Sequence, residues 1–249
     1  MPPSSNAAER VVCTVPTYNE AQNILPLARE ILALGPNYEV LVIDDDSPDG
    51  TWRLVEQAAC SEPRLGLLHR TQDRGRGRSG RDGFARALEL GAGVVVEMDA
   101  DFSHQPRYIP EMIRALGPES SGCGLVLGSR ATAGGKDADR GWTRRMITRL
   151  ANLYIRLLLG LAVHDGNSGF RCWRRSTLER IRAAEAFSPG PAIVQELLYK
   201  TACARIGIRE VPIEFGNRLH GQSTLTLRTL MQGYTAVLRL RWMHVRGKL

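Results

Sequence analysis

The sequence predicts an α/β fold, one domain built on a mostly parallel, Rossmann-like central sheet. Three observations carry that prediction. Strand-like apolar runs alternate with segments of helical spacing over residues 11–98. The runs are apolar throughout, as strands covered by helices on both faces are. Acidic residues cluster directly after them, at the carboxyl ends where open α/β sheets hold their ligands.

The elements follow in order. Val11-Val12-Cys13-Thr14-Val15 reads as a short buried strand that ends at Pro16. Ile24, Leu27, Ile31 and Leu34 space a helix over 20–34, stopped by Gly35-Pro36. A second strand, 40–43, runs into Asp44-Asp45-Asp46. Residues 51–59 suit a helix, with Ser47, Asp49 and Gly50 as turn or cap residues ahead of it. A third strand spans 65–69, a helix 80–90, and a fourth strand 93–98, which leads into Asp99-Ala100-Asp101. The second half is less regular. It reads as a helix over 106–116, a strand over 125–127 and a Gly-rich polar loop over 131–141. A long helix over 143–161, a helix over 196–205, a strand over 211–215 and a basic amphipathic helix from 225 complete the chain.

Bulk properties narrow the function. With 249 residues, 43% hydrophobic and 24% charged, the chain has the composition of a globular domain and not of a disordered one. The net charge of +7 suits nucleic acid, an anionic membrane or a phosphorylated substrate without choosing among them. Cys13, Cys60, Cys123, Cys172 and Cys203 are scattered, which argues against a zinc site or a disulfide framework and for reduced thiols in the cytosol. Residues 1–10 form a polar leader without an apolar signal core. The longest clean apolar run, 157–163, is too short to span a bilayer.

Asp99 and Asp101 are the strongest local signal. Two carboxylates at the end of a buried strand suit a hard divalent cation, Mg²⁺ or Mn²⁺, with positions left for substrate phosphates. The pair alone also fits strand-end or helix-capping aspartates; context decides.

That context is a set of ordered motifs. They are Val15-Pro16-Thr17-Tyr18-Asn19-Glu20, Ile43-Asp44-Asp45-Asp46-Ser47-Pro48-Asp49-Gly50-Thr51 and Met98-Asp99-Ala100-Asp101-Phe102-Ser103-His104. Further on stand Gly128-Ser129-Arg130, residues 144–152, Asp165-Gly166-Asn167-Ser168-Gly169-Phe170-Arg171 and Val211-Pro212-Ile213-Glu214-Phe215. Together they resemble the family 2 inverting glycosyltransferases, most of all the polyprenol (dolichol) phosphate mannose synthases, over roughly residues 11–224.

The resemblance implies a GT-A type, nucleotide-diphospho-sugar transferase fold and a nucleotide-sugar donor. It implies metal ligation by Asp99 and Asp101, and nucleoside contacts from Pro16, Tyr18, Glu20 and Asp45. The glycines of 75–81, Gly75 and Gly77 first, offer close backbone approach to the donor diphosphate. A polyprenyl monophosphate acceptor would meet Arg130, Arg144, Thr148, Arg218 and Ser223, arginine being suited to forked phosphate contacts. Asp165 falls on a family aspartate near the acceptor and is assigned positioning, not proton transfer. An anionic phosphate attacks without prior deprotonation, so no general base is required.

The chain departs from the family in places. Arg74, Arg76, Arg78 and Arg81 crowd a segment whose relatives carry a Gly-Leu-Gly core. Donor phosphates, anionic lipid or no ligand at all are the readings open to them. Thr224 stands where a lysine is common. No aromatics interleave these arginines, which argues against nucleic acid. The segment 225–249 suits either a helix on an anionic membrane surface or one docked on its own domain. The expected setting is cytoplasmic, peripheral at the cytoplasmic face of a membrane, alone or with a membrane-embedded partner protein. The leading expectation is metal-dependent mannose transfer from GDP-mannose to a polyprenyl phosphate with inversion. The alternatives are a relative using UDP-glucose or another nucleotide sugar, and a scaffold that binds nucleotide sugars or membranes without turnover.

Overall fold

A computed structural model describes residues 9–137, 142–216 and 227–247. The first half alternates β1 (Val11–Thr17), α1 (Ile24–Leu32), β2 (Tyr38–Asp44), α2 (Thr51–Ala59), β3 (Leu65–His69), α3 (Arg76–Glu89) and β4 (Val94–Glu97). Then come α4 (Ile109–Leu116), β5 (Cys123–Ser129), β6 (Lys136–Asp137) and α5 (Trp142–Leu159). The chain continues through β7 (Arg171–Arg174), α6 (Arg175–Arg180), α7 (Ile193–Cys203), β8 (Gly207–Pro212), β9 (Glu214–Phe215) and α8 (Leu227–Val245).

Seven strands form one sheet in the order β3-β2-β1-β4-β7-β5-β8, and β6 pairs with β9 beside it. Pairing is parallel except where β7 runs against both β4 and β5. Successive residues of each central strand enter opposite cores, which is why the strands are apolar throughout. Val11, Cys13, Val15, Val94 and Val96 meet α1, α2 and α4 on one face. Val12, Leu41, Ile43 and Val95 meet α3, α5, α7 and α8 on the other.

The antiparallel β7 was not legible as a strand. Its four residues, Arg-Cys-Trp-Arg, begin and end in arginine, yet Arg171, Cys172 and Trp173 are all fully buried. Its direction positions the site: a parallel strand delivers the loop after it to the carboxyl edge of the sheet, and β7 delivers the loop before it, 163–170. The α8 helix docks on its own domain, burying Val237 and Leu240 and resting Tyr234 against Tyr154 of α5. Its outer side leaves Leu238, Trp242 and Val245 exposed. Among the described residues, no helix is long and apolar enough to cross a membrane. All five cysteines are free, three of them buried.

The α3 helix starts at Arg76, four residues earlier than the sequence suggests, with the 188–190 segment hard against its first turn. Gly77 donates its N–H to Pro189 O at 3.0 Å, and a Cβ there would lie 2.0 Å from Ser188 O. That obstacle is backbone and cannot swing away. Gly77→Ala is therefore expected to cost about 1–3 kcal/mol by overpacking. A thermal melt with an unchanged midpoint would show that the two segments part easily.

Candidate functional site

At the ends of β1 and β2 the chain ties two turns together. Asp44 accepts from Thr17 Oγ1 at 2.7 Å, Ser47 N at 2.8 Å and Ser47 Oγ at 2.7 Å. Ser47 Oγ, Thr51 Oγ1 and Asp49 in turn accept from the N–H groups of Asn19, Glu20 and Ala21, each at 3.0 Å. This lattice leaves Tyr18 57% exposed as a ring platform at the sheet edge, with Pro16 half-buried behind it. Glu20 accepts from Asn23 Nδ2 at 2.7 Å. Asp45 is buried and paired with the Arg70 guanidinium, and it also accepts from Gly75 N at 2.7 Å. The N–H groups of Gly75 and Gly77 are thus both engaged within the protein, to Asp45 and Pro189.

The loop after β4 carries the acidic pair. Phe102 adopts φ +62°, a left-handed conformation unfavourable for a bulky side chain. The turn it makes brings Ser103 back onto Asp101, whose Oδ1 accepts from Ser103 Oγ at 2.6 Å and Ser103 N at 3.1 Å. His104 Nδ1 accepts from Asp99 N at 3.1 Å, so the lone pair of that nitrogen is committed to the backbone. Burial holds the His104 imidazolium below its usual range, against the pull of Asp99 and Asp101. Asp99 is 42% exposed and faces Gly169, where an added Cβ would stand 3.7 Å from both carboxylate oxygens.

These residues fit a divalent ion shared with a substrate. The donor set is two carboxylates of hard oxygen, the glycine leaves room beside Asp99, and no third acidic or histidine ligand completes a cage among the described residues. Remaining positions would fall to phosphate oxygens and water, as Mg²⁺ and Mn²⁺ sites on nucleotides prefer.

Of the four added arginines, Arg76 turns toward the acidic pair. Its Nη2 donates to the buried Glu97 Oε1 at 2.8 Å and lies 3.8 Å from Asp99 Oδ1. Burial works against its charge, and the carboxylates of Glu97 and Asp99 more than offset that effect.

On the far side stands Arg130. It donates to Asp165 through N at 3.1 Å, Nε at 2.7 Å and Nη2 at 2.8 Å. Burial alone would raise the Asp165 carboxyl; the Arg130 charge and hydrogen bonds hold it below its usual value instead. Asn152 also donates to Asp165, at 3.2 Å, and Glu210 takes the Asp165 N–H at 3.0 Å. Arg171, fully buried, donates to the carbonyls of Gly166, Ser168 and Val194 and braces this loop from beneath. Burial pulls its pKa to about 10, which leaves it charged at neutral pH.

Arg130 and Asp165 open onto a pocket of about 590 Å³. Its wall includes Lys136 and, from α5, Arg145, Thr148, Arg149 and Asn152. The Phe215 ring joins the two halves: the Arg130 guanidinium lies 4.8 Å from its centroid and the His104 ring 5.4 Å. Of the expected acceptor residues, Arg130 and Thr148 line the pocket together. Arg218 and Ser223 lie outside the described residues, as does the side chain of Arg144. Sequence reasoning did not single out Arg70, Lys136, Arg145, Arg149 or Asn152. The spacing of 145, 148, 149 and 152 on one helical face was the available signal; Arg70 and Lys136 had none.

The Glycosyl transferase family 2 model matches residues 13–182. Across its full length the chain is 34% identical to the polyprenol monophosphomannose synthase of Mycolicibacterium smegmatis, covering 92% of that protein. It is 36% identical to the undecaprenyl-phosphate mannosyltransferase of Micrococcus luteus, over 96% of this chain and 99% of that one. The dolichol-phosphate mannosyltransferase of Pyrococcus furiosus is 33% identical over 94% of this chain and 64% of its own length. In fold, the chain resembles the glucosyl-3-phosphoglycerate synthase of Mycobacterium tuberculosis, with TM-score 0.68 and 22% identity over 94% of this chain and 80% of that one. That enzyme has also been crystallised with Mn²⁺, UDP-glucose and phosphoglyceric acid. The chain belongs to glycosyl transferase family 2 and is a glycosyltransferase.

Proposed function

We propose that the chain transfers mannose from GDP-mannose to a polyprenyl monophosphate, with a divalent cation and inversion at the anomeric carbon. The observation that carries this reading is the adjacency of an acidic strand end and a cationic pocket, joined through Phe215. The acidic half suits a metal-bound diphosphate; the cationic half suits a second, separate phosphate. Relatives named for mannosyl transfer to polyprenyl phosphates match along the whole chain and supply the sugar and the lipid.

Tyr18, Pro16, Glu20 and Asp45 border the nucleoside end of the donor. Asp99 and Asp101 would hold the cation, which when bound neutralises charge on the leaving diphosphate. Arg130, Thr148, Lys136, Arg145 and Arg149 would grip the acceptor phosphate, with Arg144, Arg218 and Ser223 expected to add to them. The phosphate is already an anion, so the residues around it align and do not deprotonate it. Asp165 keeps the Arg130 fork in place.

The acceptor's lipid tail needs an exit, and α5 provides one. The face of α5 beside the pocket displays Met146, Leu150, Leu153 and Leu157, all exposed, at intervals that place them on one stripe. With Leu238 and Trp242 of α8 and the arginines between them, this surface suits peripheral docking on an anionic bilayer.

A transfer assay with labelled GDP-mannose, a polyprenyl phosphate and Mg²⁺ or Mn²⁺ tests the reading. Lipid-linked mannose should form, and should vanish with EDTA. Asp101→Ala is expected to lower kcat roughly 100-fold or more, the scale of a lost electrostatic stabiliser. If GDP-mannose neither binds nor reacts, the mannose assignment fails and UDP-sugars are the next donors to screen.

Arg145→Ala should raise KM for the lipid phosphate about ten-fold, as loss of one charge-assisted contact does, and leave KM for the donor unchanged. An equal rise in both would place Arg145 outside the acceptor site.

The role of Asp165 has a pH signature. A carboxyl depressed in the folded state binds fewer protons folded than unfolded. Its stabilisation is present above the unfolded value of about 3.9 and is lost as pH falls through the lower folded value. The melting-temperature gap between wild type and Asp165→Asn should stay constant from about pH 5 to 8 and close below about pH 4. A gap that varies across pH 5–8 would mean Asp165 titrates there and would reopen a proton-transfer role.

A further inference from the structure

We infer that Arg76 is a protein-borne cation for the donor diphosphate, acting beside the divalent ion and able to hold a nucleoside diphosphate without it. The inference rests on the donor reading above and concerns a side chain that this reading does not assign.

Four observations support it. First, two carboxylates at the end of β4 converge on this guanidinium, Glu97 at 2.8 Å and Asp99 at 3.8 Å. Second, the side chain is only 24% exposed, and Nη1 is buried with no hydrogen-bond partner among the described residues. A guanidinium presents five donors, and one left without a partner in a buried setting is costly unless a ligand completes it. Third, Arg76 is the first residue of α3 and its charge stands at the positive end of that helix. The nearby N–H groups of Gly75 and Gly77 are taken by Asp45 and Pro189, so a ligand there would rely on the side chain. Fourth, its arginine neighbours point elsewhere. Arg78 pairs with Asp73, Arg81 with Asp73 and Asp82, and Arg74 with Asp46. Arg76 alone of the four turns onto Glu97 and Asp99, at the end of β4.

Two consequences follow from charge. With Arg76 beside Asp99, a divalent ion entering there meets a fixed positive neighbour and binds more weakly than to the carboxylates alone. A diphosphate reaching Asp99 meets the Arg76 charge, 3.8 Å from that carboxylate, before any metal arrives. The arginine thus lowers the affinity for free metal and raises the affinity for metal-free nucleotide.

The test separates these effects from a structural role. Arg76→Leu would leave Glu97 buried and unpaired, so the main variant is the double Arg76→Leu/Glu97→Gln, which keeps the summed charge of the site; its melting temperature is measured alongside. GDP and UDP binding is measured by calorimetry in EDTA and again in saturating Mn²⁺, and Mn²⁺ binding alone by electron paramagnetic resonance. Wild type should bind the diphosphate in EDTA, and the double variant about ten-fold or more weaker. Arg76→Lys, which keeps the charge and loses the fork, should fall between them. Arg76→Leu should bind Mn²⁺ alone about ten-fold tighter than wild type. Equal diphosphate affinity in wild type and a folded double variant would overturn the inference and leave the donor reading standing. Diphosphate binding by wild type only when Mn²⁺ is present would also overturn it. Failure of wild type to bind either diphosphate even with Mn²⁺ would instead remove the donor reading, and this inference with it.

Discussion

The structure depends on neutralising the carboxylates that meet at one edge of its sheet. Asp45, Glu97 and Asp165 are buried there, and each is held by an arginine: Arg70, Arg76 and Arg130. Removing one partner from such a pair typically costs about 3–5 kcal/mol, because a charge is left buried without compensation. These pairs are therefore a poor source of stability and a good source of geometry. They fix where α3 begins, where the 163–170 loop lies and which way Arg130 faces. Asp99 is treated differently: it is 42% exposed, with Arg76 and His104 as its charged and polar neighbours. The site keeps its more open acid where an incoming cation would bind.

Topology explains how donor and acceptor halves come to share that edge. The parallel strands β1, β2 and β4 deliver the loops that follow them, and those loops carry the nucleoside platform and the acidic pair. The reversed β7 delivers the loop that precedes it, which carries Asp165. A wholly parallel sheet would send that loop to the opposite edge, away from Arg130. One strand reversal thus sets the acidic strand end and the cationic pocket side by side, with the Phe215 ring between them. The α5 helix then serves two purposes by angular position alone: one face lines the cationic pocket and the next presents an apolar stripe outward.

Much of this was readable in the residues. The order of the first four strands, the parallel sheet and the clustering of acids at strand ends follow from apolar runs and their terminators, because burial on both faces leaves a plain pattern. The motifs are what drew attention to Asp99, Asp101, Arg130 and Asp165. What escaped reading was of two kinds. Short elements whose residues look polar, such as β7 with its terminal arginines, carry no apolar pattern although their interior is buried. The partners of charged groups also escaped, since Arg70 and Arg171 look like any of the 33 Lys+Arg until tertiary contacts single them out. Gly77 illustrates a third limit. Its spacing suggests backbone approach to a ligand, and in the structure its backbone approaches Ser188–Gly190 instead. A glycine reports that something comes close without saying what.

The arginines of 74–81 show how a departure from family pattern can be absorbed. Added positive charge at a donor site risks repelling the cation the chemistry needs. Three of the four additions are matched by acids within the same region, Asp46, Asp73 and Asp82, so their net field at the strand ends is small. The fourth is matched by Glu97, an acid already in the site. Without Arg76, Glu97 would be an unpaired carboxylate next to Asp99, buried too deeply to be screened by solvent. Arg76 and Glu97 are thus best understood as one unit: the glutamate makes the arginine tolerable, and the arginine makes the glutamate neutral. Such a unit sets an arginine beside Asp99 without adding net charge to the acidic strand end.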